Sequence, residues 1–131
     1  MKDENKKAAE LMRTFKMLKK ILEQYEGPLK LKFDLKEKYE LWTDKEVNIA
    51  GKTKKELFFA GVTLQKNYIS FYFMPIYVEP ELKEKLEPKL LKLLKGKSCF
   101  HIKSIDKELE NEIFDALQKG YKLYEENEWI N

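Results

Sequence analysis

This chain has little from which to build a conventional metal, redox or nucleotide site. Cys99 is its one cysteine and His101 its one histidine. A lone thiol excludes an internal disulfide and a multi-thiolate metal centre. One histidine with one cysteine makes no zinc site unless carboxylates arrive from elsewhere. There is no HExxH, no EF-hand loop, no Walker lysine loop and no GxGxxG. No apolar run approaches bilayer length, which argues against a membrane partner. Lys2, Asp3, Glu4, Lys6 and Lys7 occupy the place of a secretory h-region, so a cytoplasmic location is expected. Repeats, low-complexity tracts and linkers are missing, and residues 1–131 read as one domain.

What is present is a strongly amphiphilic composition. Apolar residues make up 43% and charged residues 37% of the chain, enough for a core under a charged exterior. The net charge of +3 is mild. Lysines dominate the first helix and the segment from Lys83 to Lys97, whereas the last segment, from Asp106 to Glu128, is acidic. Charge runs of this kind mostly solvate helix faces.

Ala8, Leu11, Phe15, Leu18, Leu22 and Tyr25 recur at spacings of three and four, predicting a helix over 4–26 that Gly27 and Pro28 end. From Leu29 the period becomes two. Leu29, Leu31, Phe33 and Leu35 alternate with charged residues as in a half-buried strand. Residues 39–43 and 46–49 are shorter strands, with a turn over Gly51, Lys52 and Thr53. Strands over 56–64 and 68–74 flank Gln65, Lys66 and Asn67 as a hairpin, with Asn67 suited to positive φ. Gly61 inside a strand marks a bulge or a close backbone approach. Pro80 and Pro88 open two short helices, over 80–86 and 88–95, with Gly96 as the cap of the second. Residues 98–103 form the last strand. Asp106 caps a helix over 107–126 with Leu109, Ile113, Leu117, Tyr121 and Tyr124 buried. The expected fold class is α+β, a mostly antiparallel sheet with helices packed on it.

Strand parity supplies the candidate site. Ile69, Phe71 and Phe73 form one face of their strand, and Tyr68, Ser70, Tyr72 and Met74 the other. Phe100 and Ile102 oppose Cys99, His101 and Lys103 in the same way. If the two strands are neighbours, Tyr68, Tyr72, Cys99 and His101 share one face. Lys66 and Lys97 then lie at its ends, and Met74 and Tyr77 line one end. Tyrosines offer apolar walls with hydroxyl handles, histidine donates or accepts, and the lysines attract an anion. Cys99 and His101 are about 7 Å apart along a strand, too far for a direct thiol–imidazole bond. No catalytic residue is assigned.

Phe58–Val62 (FFAGV), Lys66–Tyr77 (KNYISFYFMPIY) and Gly96–Lys103 (GKSCFHIK) resemble the YdhG-like family of small bacterial proteins, over roughly residues 10–125. The resemblance implies an α+β domain with a central antiparallel sheet. It implies little about activity, although one bacillary relative is described as a frataxin-like iron chaperone.

Three functions are therefore expected in order. The first is binding of a small molecule or protein, the ligand small or anionic, at the sheet face. The second is iron binding through carboxylates of the last helix, which would make iron the cofactor; otherwise none is called for. The third is homodimerisation through the first helix, against a monomer. Nucleic acid is disfavoured by the acidic final helix and by the missing aromatic strand signature of an RNA-recognition domain.

Overall fold

The computed structural model describes residues 2–49 and 51–130. Helix α1 spans Lys2–Glu23. Leu11, Phe15, Leu18 and Leu22 are buried along its stripe, whereas Ala8 is exposed. The helix stops a turn earlier than its stripe, and Tyr25 is buried from the turn that follows. Gly27, expected to end the helix, lies four residues past its end and at φ 109° turns the chain between Glu26 and Leu29 instead.

Eight strands follow: β1 (Lys30–Leu35), β2 (Lys38–Trp42), β3 (Val47–Ile49), β4 (Lys52–Lys54), β5 (Phe58–Leu64), β6 (Ile69–Phe73), β7 (Leu94–Lys95) and β8 (Cys99–Ile102). Six of them form an antiparallel sheet in the order β1-β2-β5-β6-β8-β7, and β3 and β4 make a separate hairpin. The turn expected over 51–53 is shorter than that, because Lys52 and Thr53 pair with Ile49 and Asn48. Between β6 and β8 lie α2 (Pro75–Val78), a 3-10 turn over Pro80–Lys85, and α3 (Pro88–Leu91). Helix α4 spans Lys107–Glu126, and the Asp106 carboxylate accepts the Leu109 N–H at 2.8 Å as the predicted cap. The α+β class holds.

One layer of helices covers one side of the sheet. Leu41, Val62, Phe71 and Phe100 share one buried cluster with the stripes of α1 and α4. Tyr124 of α4 donates its hydroxyl to the Phe58 carbonyl at 2.6 Å, tying the helix to β5.

Four local expectations change. Strand β1 is an edge strand and is not half-buried, with Leu31 37% and Leu35 57% exposed. Its register slips between Leu31 and Phe33, so Leu31 pairs with core-side Leu41 and Phe33 with Glu40 on the other face. The bulge at Lys32 reverses the alternation. Asn67 does not take positive φ; the hairpin closes through Gln65 N–H donating to the Tyr68 carbonyl at 2.9 Å. The helix expected over 88–95 ends at Leu91, because Leu94 and Lys95 pair with Phe100 and Cys99 as β7. Gly96, at φ 85°, therefore turns a hairpin and caps no helix. At Gly61 the close approach is real: an added Cβ would lie 2.9 Å from the Tyr39 carbonyl oxygen.

The core contains tyrosines whose ionisation opposes folding. Burial pushes Tyr25 up from 10.0 to about 12. Burial also raises Tyr39, helped by its hydrogen bond to the Glu26 carboxylate, and burial raises Tyr124. A raised folded value means a stability contribution complete below the unfolded value and lost as pH rises toward the folded one. Stability should be flat up to about pH 10 and fall above it, with Tyr25 spent near pH 12. Circular dichroism and tyrosinate absorbance recorded together would check this. Ionisation of all seven tyrosines near pH 10 with no loss of structure would contradict it. The Tyr25 hydroxyl is buried without a hydrogen-bond partner among the described residues. Tyr25→Phe should therefore be neutral or stabilising by up to about 1 kcal/mol at pH 7 and should blunt the alkaline loss.

Candidate functional site

Strands β6 and β8 are direct neighbours. Ile69 faces Ile102 and Phe71 faces Phe100 on the core side, while Ser70 faces His101 and Tyr72 faces Cys99 on the other. The four residues Tyr68, Tyr72, Cys99 and His101 thus share the face away from the helices. All four are half-buried. The Tyr68 and His101 rings stack with centroids 3.9 Å apart and planes 15° apart. Ser70 between them is 2% exposed and accepts the Gln65 side-chain amide at 3.3 Å.

The stacked pair lines a depression of about 660 Å³ at the β8 edge. Lys89 and Lys92 from the α3 region, Lys95 of β7, and Lys103 after β8 surround it, with Leu93 and Leu109 as apolar wall. His101 N–H donates to the Leu93 carbonyl at 3.0 Å, which holds this wall against β8. Lys7 of α1 adds a further cation nearby, donating to Asn67 Oδ1 at 2.6 Å. Lys89 is bound to Asp106 and lies 3.5 Å from Glu108. That bond, then the Leu109 N–H, holds the Asp106 carboxyl below its usual range. Lys92, Lys95 and Lys103 have no carboxylate within 4 Å among the described residues.

The other proposed residues lie elsewhere. Met74 sits in helical conformation at the entry to α2 and packs on the core, because the strand and its alternation end at Phe73. Tyr77 is 52% exposed with Lys97 Nζ 6.0 Å from its ring centre. These two line a separate depression of about 460 Å³ with Ile76, Pro80, Lys83 and Gly96. Lys66 is exposed in the β5–β6 turn and borders neither depression. One site becomes two places. Lys89, Lys92, Lys95 and Lys103 were not among the expected residues. Three of them recur at spacings of three, the one visible signal for them.

Cys99 is poorly placed for nucleophilic work. Burial pushes its thiol above the ordinary value, outweighing a bond with Ser70, so the thiolate is scarce at neutral pH. The carboxylates at the start of α4 are also engaged. Asp106 and Glu108 meet Lys89, Glu110 meets Lys107 at 3.0 Å, and Glu112 accepts the Leu90 N–H at 2.8 Å. Glu112 serves there as the N-terminal cap of α3. Among the described residues no three of His, Cys, Asp and Glu converge as a metal site. The apolar stripe of α1 packs into the chain's own core, Phe15 being 2% exposed.

The class of protein so defined is an α+β domain with a one-sided antiparallel sheet and a lysine-ringed depression at its edge. No family model, curated protein or solved structure matches the chain. Among the described residues no helix is long and apolar enough to cross a membrane.

Proposed function

We propose that this chain is a cytoplasmic binding protein for a small anionic ligand, held in the depression beside Tyr68 and His101. One observation carries the reading: Lys92, Lys95 and Lys103 converge on a stacked aromatic pair without a carboxylate to neutralise them. Lysine ammonium groups act on phosphate as movable point charges, and a concave site with apolar walls strengthens them. The free thiol of Cys99 accords with a reducing compartment. Likeness to YdhG-like proteins remains part of this reading, carried by the runs Lys66–Tyr77 and Gly96–Lys103, whose strands lie side by side. The iron-chaperone alternative lacks comparable support, since its carboxylates hold lysines and backbone.

Calorimetric titration with pyrophosphate tests the reading. Binding should weaken with salt, as screening of exposed charge requires. Lys92→Glu and Lys95→Glu should each weaken it about ten-fold, as expected when an attractive charge becomes repulsive. Lys97→Glu, at the other depression, should change it by no more than about two-fold, the effect of a distant rim charge. Equal losses for Lys95→Glu and Lys97→Glu would move the site away from His101.

A further inference from the structure

The sheet face away from the helices carries more aromatic surface than a solvated sheet needs. Tyr72 lies diagonally across from His101, about 7–8 Å away as in such pairs. The Phe58 ring centre is 6.5 Å from that of Tyr72, and the Trp42 ring 5.3 Å beyond Phe58. These three residues come from β6, β5 and β2 and form a row across adjacent strands. All three are half-buried on the face opposite the buried stripes of α1 and α4. A bulge at Phe59, where Leu41 pairs with Ala60 and Trp42 with Phe58, aims Phe58 outward.

The unpaired charge beside this row is cationic and lies at its His101 end. Lys92, Lys95 and Lys103 stand at the His101 end. At the other end Lys32 lies 4.1 Å from the Trp42 ring centre and Lys38 lies 4.6 Å from that of Phe33. Those two lysines are paired, Lys32 with Glu56 and Lys38 with Glu40 at 3.5 Å, so that end of the row is neutral. The acidic helix α4, which spoke against nucleic acid, packs mainly on the opposite side of the sheet; only its start reaches the depression, where Asp106 and Leu109 line it and Glu108 lies 3.5 Å from Lys89.

We propose that this face binds single-stranded nucleic acid. Bases lie on the row Tyr72, Phe58 and Trp42, and the phosphate chain reaches the lysines of the depression. The inference rests on the anion-binding reading and names its ligand class. Every base has a π-face, so an aromatic row with flanking cations takes single strands with little sequence preference. Duplex, whose bases are already stacked, gains nothing from the row.

The test is fluorescence anisotropy with a labelled twelve-residue oligothymidylate, beside pyrophosphate calorimetry on the same proteins. Tyr72→Ala and Trp42→Ala should each weaken the oligonucleotide about ten-fold, within the range for loss of one stacked base. Tyr72→Phe should restore binding, and none of the three should alter pyrophosphate affinity. Lys92→Glu should weaken both ligands. Circular dichroism confirms that each variant is folded. The proposal is overturned if the oligonucleotide binds no tighter than pyrophosphate, if the alanine variants bind it as the parent does, or if duplex binds equally well. In those cases the anion site still stands. Failure of pyrophosphate and oligonucleotide together overturns both.

Discussion

Phe71→Ala is expected to lower the unfolding free energy by about 3–5 kcal/mol, the cost of emptying an aromatic site in a packed core. Phe71 is fully buried at the middle of β6. Its ring centre is 6.1 Å from that of Phe73 and 5.7 Å from that of Phe100. It pairs with Val62 on one side and Phe100 on the other, so it holds β6 against both of its neighbours. Little around it can collapse into the gap, because ladder hydrogen bonds fix the strands. Domains of this size have about 5–15 kcal/mol in total, so the variant should sit near the edge of folding. Phe71→Leu, which keeps most of the volume, should cost under about 1.5 kcal/mol. Leu31→Ala on the exposed edge should stay within about 0.5 kcal/mol. Urea unfolding followed by circular dichroism separates the three. A loss at Phe71→Ala no larger than at Leu31→Ala would show that β6 is not central.

The second large effect is overpacking at Gly120. This residue lies in α4 where the helix crosses the end of β6 and the start of α2. A Cβ there would come within 2.6 Å of Phe73 Cζ and 2.7 Å of Pro75 Cγ. Two effects compete in Gly120→Ala. Helix propensity favours alanine by about 1 kcal/mol. Forcing a methyl into a full core costs about 1–3 kcal/mol. Phe73 is fully buried and Pro75 is rigid, so neither ring can yield cheaply. The clash should win, with a net loss of up to about 2 kcal/mol. Gly120→Val adds two more methyls at the same contact and should lose about 3 kcal/mol, at the upper end for overpacking. Thermal unfolding of the pair would decide. Stabilisation by Gly120→Ala would mean that α4 stands off the sheet.

These contacts bear on the candidate site, because β6 displays Tyr72 on one face and buries Phe71 on the other. The parity of that strand was readable in Ile69, Phe71 and Phe73, whose alternation leaves only one face for the core. The same reasoning failed on β1. Leu31, Phe33 and Leu35 look like one face, yet the bulge at Lys32 sends Phe33 to the side of Glu40. A bulge inserts one residue and reverses everything after it, and no periodicity reports it. At Phe59 a second bulge aims Phe58 beside Trp42, so two of the aromatics in the proposed row were missed. Pattern also failed at Leu94 and Lys95. Their residues suit a helix, and only the pairing of Leu94 with Phe100 makes them a strand. That hairpin brings Lys95 beside His101 and leaves Lys97 near Tyr77.

From the sequence alone came the α+β class, the burial of α1 and α4 along their stripes, the Asp106 cap, and the outward parity of Tyr72, Cys99 and His101. Each of these follows from short-range spacing, because helix and strand periods act on residues a few places apart. Tertiary structure alone decided which strands are neighbours, where registers slip, and which lysines meet at His101. Those depend on contacts between segments far apart in the chain, whose free energy is shared over the whole sheet and leaves no mark on any local pattern.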